Sequence, residues 1–194
     1  VASYPDFEGS FQIARALADG GADYIELQFP FSDPSADGPA IQGACSAALD
    51  TGFTLKEGFR LLQEIRERIG VEVFLMSYAS PVFSRGVEGF VARAAKLGVT
   101  GLIVPDLPFD HDEGLYDASK RHGVAAVPVA VVTLPQERLE TIIALKPRYL
   151  YASLRRGITG TTTTIGEENI RFLDRFRELE TEVMGGFGIS ERSQ

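Results

Sequence analysis

The chain has 194 residues, of which 44% are apolar and 24% are charged, and its formal net charge is −8. This length suits one domain with a substantial core, and the composition excludes an intrinsically disordered chain. The negative charge argues against nucleic acid and membrane surfaces as partners, because both are themselves anionic.

Short apolar runs alternate along the chain with stretches that carry apolar residues at helical spacing. Strands are predicted at Tyr24–Gln28, Val71–Met76, Gly101–Val104, Val124–Val132, Tyr149–Ser153 and Glu182–Met184, and Val1–Ser3 has the character of the tail of another strand. Helices are predicted around Leu55–Ile69, Phe90–Ala95, Leu139–Ile143 and Ile170–Phe176.

Repeated strand–helix units indicate a parallel sheet, either a closed barrel or an open, doubly wound sheet. Six clear strands are fewer than eight, and an eight-stranded barrel typically takes about 250 residues, so length alone favours the open sheet. No low-complexity linker or shift in composition divides the chain. Residues 1–194 are therefore predicted to form a single domain.

The cysteine and histidine content bears on the cellular compartment and on possible metal sites. Cys45 is the only cysteine, so an intrachain disulfide is impossible and a reducing, cytoplasmic location is expected. The longest apolar run is far shorter than the roughly 20 residues of a membrane helix, and no signal peptide is visible at the start. The two histidines and the cysteine do not cluster at metal-ligand spacing, so no metal site is predicted.

Glu26 lies inside an apolar strand, where an isolated charge is costly. The ordinary alternative is a structural glutamate paired with a neighbouring lysine or arginine, and the strand by itself does not decide between the two. Directly after the strand, however, comes a loop rich in acids and held by prolines, PFSDPSADGP over residues 30–39. Loops at the carboxyl ends of strands are where barrel enzymes place their active sites.

Five motifs in a fixed order carry a resemblance to a known family. They are PFSDPSADGP at 30–39 with Glu26 four residues before its first proline, YASP at 78–81, VPDLP at 104–108, RRGITG at 155–160 and GGFGIS at 185–190. Together they resemble the tryptophan synthase alpha subunit, and the resemblance covers essentially the whole chain. It implies a (β/α)8 TIM barrel, here expected to be incomplete at both ends, with the start of strand one and strand eight absent.

The resemblance implies a lyase of tryptophan biosynthesis, without metal or organic cofactor. The family cleaves indole-3-glycerol phosphate by a retro-aldol reaction to indole and glyceraldehyde 3-phosphate. It implies that Glu26 is the general acid–base residue and that Asp37 stabilises charge on the indole nitrogen. These roles are physically sensible, because apolar surroundings should raise the pKa of a strand glutamate while a loop aspartate stays ionised.

The remaining site residues are implied by the same matching positions. Substrate contacts are expected from Tyr78, Tyr151, Ile103, Phe187 and Thr159, phosphate contacts from Gly160, Gly186 and Gly188, and contacts with the tryptophan synthase beta subunit of an α2β2 complex from Asp33, Pro34, Pro81 and Pro108. The glycine-rich run 185–190 also indicates a phosphate cradle on its own, since it follows a strand and precedes a presumed helix. Plain alternatives are an ordinary turn there and core packing for the two tyrosines.

Three positions depart from the family pattern. Gln28 stands where the family usually has glycine and is expected to crowd the pocket floor, Ser80 replaces an asparagine before Pro81, and Arg156 replaces a small residue. The alternatives left open are a standalone lyase that releases free indole, another phosphate-binding barrel enzyme, and a regulatory barrel that binds ligand but catalyses weakly. The intact pair Glu26 and Asp37 argues against the regulatory barrel.

Overall fold

The computed structural model describes residues 1–154, 165–186 and 189. The strands are β1 Tyr24–Gln28, β2 Glu72–Met76, β3 Gly101–Ile103, β4 Ala125–Val127, β5 Val129–Val131, β6 Tyr149–Ser153 and β7 Glu182–Gly186. The helices are α1 Phe7–Asp19, α2 Pro39–Asp50, α3 Leu55–Arg68, α4 Ala79–Phe83, α5 Val87–Lys96, α6 Leu115–His122, α7 Gln136–Ala144 and α8 Glu167–Asp174. The four predicted helices and five of the six predicted strands are present within a few residues of their expected positions.

All strand pairs are parallel and follow chain order, β1 to β4 in one sheet and β5 to β7 in the next. The prediction of one strand over Val124–Val132 is wrong, because Pro128 has no N–H for the ladder and divides that segment into β4 and β5. Its carbonyl still accepts the N–H of Tyr151 at 3.0 Å. The two sheets are therefore continuous along the backbone at Pro128.

Alternate residues of each strand face opposite sides of the sheet. On β1, Ile25 and Leu27 are buried in a cluster with residues of α3 and α5, while Glu26 and Gln28 face a cavity on the other side. On β2, Val73 and Leu75 join the same outer cluster, whereas Phe74 and Met76 join an inner cluster with Ile103, Val127 and Tyr149. The helices therefore cover one face of the sheet, and the strands enclose the other face among themselves.

The sheet curves until its first and last strands come together. The hydroxyl of Tyr24 at the start of β1 donates to a carboxylate oxygen of Glu182 at the start of β7, at 2.9 Å. In a flat sheet these strands would lie more than about 20 Å apart, given about 4.8 Å between neighbours. The open, doubly wound sheet that length alone favoured is therefore wrong, and the strands form a β/α barrel.

One edge of β1 is partly covered by the residues that begin the chain. Val1–Ser3 is not a strand, although the N–H of Ala2 donates to the carbonyl of Gln28 at 2.8 Å, as a neighbouring strand would do. That an eighth strand is absent stays a prediction. Within the described part of the chain, every helix is too short or too polar to cross a membrane.

Candidate active site

A cavity of about 330 Å³ opens at the carboxyl ends of the strands. Gln28, Met76, Ile103 and Gly186 are the last residues of their strands, and all four line it. The other lining residues come from within strands or from the loops and the helix that follow them: Glu26, Ala36, Asp37, Ile41, Pro105, Val129, Tyr151 and Ile189. The cavity thus combines a mostly apolar wall with two carboxyl groups, as expected of a site for an apolar ring with a reactive substituent.

Glu26 is held in place by the strand ladder, in register with Phe74 of β2. Its side chain is reached by solvent through the cavity, yet it lies deep within the ring of strands. Burial in that apolar interior, and secondarily the negative charge of Asp37, raises the pKa of Glu26 from 4.5 to about 7. Among the described residues no lysine or arginine pairs with Glu26, so the structural salt bridge considered for it is not formed.

Asp37 lies in the loop after β1 and is 5% exposed. Its Oδ2 accepts two hydrogen bonds, from the hydroxyl of Tyr78 at 2.7 Å and from the side-chain amide of Gln28 at 2.6 Å. The loop itself is turned by the N–H of Asp37, which donates to the carbonyl of Pro34 at 3.0 Å. This carboxylate is therefore fixed by neighbouring side chains, unlike that of Glu26.

Tyr78 follows β2 and is fully buried, with its ring stacked on Phe31 at 5.3 Å between centroids. Its hydroxyl accepts the N–H of Ala36 at 3.1 Å while donating to Asp37. Burial, and then the hydrogen bond to Asp37, holds the pKa of Tyr78 well above its usual range. Tyr78 does not line the cavity, so the structure places this predicted substrate contact behind Asp37.

Asp106 joins two of the loops around the cavity. Its Oδ1 accepts the N–H of Ala79 at 2.8 Å, linking the loop after β3 to the start of α4. Burial raises the pKa of this carboxyl group, although the backbone N–H of Ala79 opposes the rise. The side chain is absent from the cavity lining, and its observed contact is that of a residue that fixes the loops at the rim.

Tyr151 and Gly186 meet on the far wall of the cavity. A Cβ atom at Gly186 would stand 2.2 Å from the hydroxyl oxygen of Tyr151, so only glycine allows this close approach. Burial holds the pKa of Tyr151 above its usual range, with smaller contributions from the charges of Glu26 and Asp37. The predicted positions 26, 37, 103, 151 and 186 therefore surround a single cavity.

The four residues expected at a partner interface follow β1, β2 and β3 on the same rim. Asp33 and Pro108 are exposed, Pro81 is half-buried and Pro34 is buried. The exposed pair can be reached by another protein, whereas Pro34 serves the interior of its own loop. The expected contacts Thr159, Gly160, Phe187 and Gly188 lie outside the described residues, as does Arg156.

Sequence patterns did not indicate two of the residues around the carboxylates. Ile41 and Cys45 belong to α2, and Gly38 followed by Pro39 was the available signal for the start of that helix. Gln28 was expected to crowd the pocket floor, but its hydrogen bond to Asp37 was not foreseen. No group of three or more potential metal-ligating residues occurs within ranges 1–154 and 165–186 or at 189.

Comparison with known proteins agrees with this geometry. The family model described as tryptophan synthase alpha chain matches residues 1–194. The tryptophan synthase alpha chain of a Picosynechococcus species is 36% identical over 195 residues, covering 100% of this chain and 74% of the relative. That of Bacillus mycoides is 39% identical over 181 residues, covering 93% of this chain and 70% of the relative.

Solved structures give the same result. Mycobacterium tuberculosis tryptophan synthase matches with a TM-score of 0.89 and 30% identity, over 100% of this chain and 74% of that chain. The tryptophan synthase complex of Pyrococcus furiosus matches with a TM-score of 0.85 and 34% identity, over 97% and 75%. The sequence motifs, the barrel and both kinds of comparison thus agree, and the chain belongs to the tryptophan synthase alpha chain family.

Proposed function

We propose that Glu26 and Asp37 carry out the lyase reaction of this family, the cleavage of indole-3-glycerol phosphate to indole and glyceraldehyde 3-phosphate in tryptophan biosynthesis. The observation that carries the proposal is the contrast between two carboxyl groups that line one apolar cavity. Glu26 has a pKa raised to about 7, and Asp37 accepts two hydrogen bonds on one oxygen. Two carboxyl groups in different environments can divide acid–base and electrostatic work.

The retro-aldol step breaks the bond between indole C3 and the glycerol carbon that bears a hydroxyl group. A proton is added to C3, and the hydroxyl loses its proton as that carbon becomes the aldehyde of glyceraldehyde 3-phosphate. A group with a pKa of about 7 can both give and take a proton at neutral pH, which suits Glu26 to these transfers. The indole N–H becomes more acidic as positive charge develops on the ring, and Asp37 stabilises that charge.

The phosphate group of the substrate is assigned to the glycine-rich segment that begins at the end of β7. Gly186 lines the cavity, and Gly188 and Gly160 complete the proposed set. Backbone N–H groups bind phosphate without any charged side chain, so a chain with net charge −8 can still take this substrate. Ile103 and Tyr151, with Phe187 and Thr159, are assigned to the remainder of the substrate.

The partner of this chain is the tryptophan synthase beta subunit, and we assign its contact surface to the rim after β1, β2 and β3. Asp33 and Pro108 are exposed there, and Pro81 is half-buried. Prolines are already constrained before binding, so a proline-rich rim loses little entropy when a partner covers it. We further propose that residues 1–194 form one domain and act in the cytoplasm, where the free thiol of Cys45 stays reduced.

The proposal is tested by indole release from indole-3-glycerol phosphate, with and without added beta subunit. Glu26→Gln keeps the side-chain volume and removes the titrating proton, so turnover should fall by at least about 100-fold, as is typical of acid–base groups. Glu72→Gln is the matched control, because Glu72 is also a strand glutamate but lies at the amino end of β2, away from the cavity.

Full turnover in Glu26→Gln would sink the catalytic assignment. Activity that needs no beta subunit would favour the standalone lyase, and failure of the wild-type chain to cleave this substrate would favour a regulatory barrel or another phosphorylated substrate.

A further inference from the structure

Gln28 occupies the inward-facing position of β1 two residues after Glu26. Its side chain is 5% exposed, and its Nε2 lies 2.6 Å from Oδ2 of Asp37 and 3.7 Å from Sγ of Cys45. A buried amide is costly unless it is hydrogen-bonded. A carboxylate can only accept, so the amide must present its N–H to Asp37.

The same carboxylate oxygen also receives the hydroxyl of Tyr78 at 2.7 Å. Tyr78 is in turn held by the N–H of Ala36, so its hydroxyl has a fixed direction. No described residue donates to Oδ1 of Asp37, and Asp37 lines the cavity. One oxygen is thus held by two donors, and no described residue holds the other, so it can meet a group that enters the cavity.

We propose that Gln28 is a positioning residue for Asp37: with Tyr78 it fixes Oδ2 of Asp37, so that Oδ1 meets the ring N–H of the substrate. The inference rests on the proposed function, because it assumes that Asp37 contacts substrate. The terminal side-chain torsion of an aspartate, χ2, has a broad distribution. A carboxylate held by one donor alone can therefore still rotate about that contact. Two donors on one oxygen restrict the swing and orient the carboxylate before the substrate binds.

The first test replaces Gln28 by methionine, which has a similar size and no donor. Loss of one hydrogen bond to a charged group corresponds to about a 10-fold effect, so kcat should fall by about that factor. KM should change little, because the cavity keeps its volume. An unchanged kcat in Gln28→Met would show that the side chain only fills space.

A double-mutant cycle with Tyr78→Phe tests whether both donors act on the same carboxylate. If either loss already frees the carboxylate, the double variant should lose less activity than the product of the two single losses. Losses that multiply would mean that Gln28 and Tyr78 act independently, and the positioning role would be wrong.

The second variant, Gln28→Glu, gives a readout that packing alone cannot produce. Near neutral pH the introduced carboxyl group repels Asp37, whereas in its protonated form its O–H donates to Oδ2 as the amide does. The ratio of variant to wild-type kcat should therefore rise as the pH falls. A ratio that does not depend on pH would contradict the proposal. The ionisable groups that face this cluster, and that both proteins share, are Glu26, Cys45, Tyr78 and Tyr151.

Asp37→Asn separates the failure of this inference from that of the proposed function. If Asp37→Asn keeps full turnover, Asp37 has no catalytic role, and the part of the proposed function that assigns it to the ring nitrogen is wrong. If Asp37→Asn is inactive while Gln28→Met keeps wild-type kcat, the proposed function stands and only the positioning role of Gln28 is lost. Urea unfolding of each variant shows whether the fold is intact, and Gln28→Glu replaces Gln28→Met if the latter does not fold.

Discussion

Strand β1 and the loop that follows it each present one carboxyl group to the same cavity, but they hold it in opposite ways. Glu26 is placed by the backbone ladder and has no side-chain partner among the described residues. Asp37 sits on a loop that is turned by two internal backbone hydrogen bonds, and its side chain is fixed by Gln28 and Tyr78. A rigid strand can hold a group that must change its protonation, whereas a loop residue that must keep its orientation needs donors of its own.

The difference between the two carboxyl groups also appears in their electrostatics. Burial without a partner raises the pKa of Glu26 to about 7, so the strand keeps this side chain near its point of titration. Asp37 is instead held by two fixed hydrogen-bond donors, Gln28 in the cavity wall and Tyr78 outside it. The following experiments test this contrast.

The largest expected effect comes from Asp37→Asn. The change keeps the shape and removes the charge that we assign to the ring nitrogen, so turnover should fall by about 100- to 1000-fold, as for other preorganised electrostatic groups. The measurement is the rate of indole release at saturating substrate. Asp33→Asn, four residues earlier on the exposed side of the same loop, is the matched control and should keep basal turnover.

If Asp37→Asn retained most of its activity, the ring nitrogen would not need a negative charge nearby. Glu26 would then be the only catalytic residue of the proposed pair.

An intermediate effect is expected on stability rather than on rate. The folded-state pKa of Glu26 is raised above its unfolded value, so its contribution to stability is fully present below pH 4.5 and is lost as the pH rises to about 7. Glu26→Gln avoids this loss, so the thermal midpoint of the variant relative to wild type should increase between pH 4.5 and pH 8.

In an Asp37→Asn background, the thermal midpoint gained by Glu26→Gln should increase less with pH. The reason is that the charge of Asp37 contributes to the raised pKa of Glu26. A difference between Glu26→Gln and wild type that stays constant with pH would mean that Glu26 is not desolvated, and the electrostatic contrast would be wrong.

The smallest effect is expected on the outer side of the loop. Asp33 is exposed while Asp37 is buried, so one short segment connects the proposed partner surface with the cavity. Asp33→Ala should reduce the activation by the beta subunit more than the basal rate of indole release. Because Ser80 departs from the family at a position beside Pro81, the comparison is repeated in Ser80→Asn.

Equal losses of basal and activated rates in Asp33→Ala would assign the loop to the chemistry alone. The contact surface after β1 would then have to be abandoned.

Most of the architecture was predictable because its signals are local. The boundaries of β1 and β6 are those predicted from their apolar runs. Thr54 accepts the N–H of Glu57 at 3.2 Å at the predicted start of α3. The ends of α1 and α6 were indicated by Gly20-Gly21 and Gly123, whereas α2 and α4 were not predicted. On α2, small residues dilute the apolar periodicity, and α4 has only five residues. The closure of the sheet could not be read locally either, since it depends on contacts between the two ends of the chain.

For the site, the motifs indicated which residues surround the cavity but not how they touch one another. Tyr78 was expected to contact substrate, yet the structure places it behind Asp37 as a hydrogen-bond donor. Gln28 was expected to be an obstruction, and it is a second donor to the same oxygen. Such contacts depend on side-chain directions across 9 and 41 positions of sequence, which no spacing rule specifies.

The hydrogen bond between Tyr24 and Glu182 also bears on the order in which the chain folds. The two residues are 158 positions apart, whereas neighbouring strands along the barrel are joined through much shorter segments. Closing so long a loop costs the most entropy, and contacts of this kind form after the local strand–helix units have assembled. Tyr24→Phe should therefore leave the refolding rate unchanged and speed unfolding, because the first and last strands meet only after the transition state has been crossed.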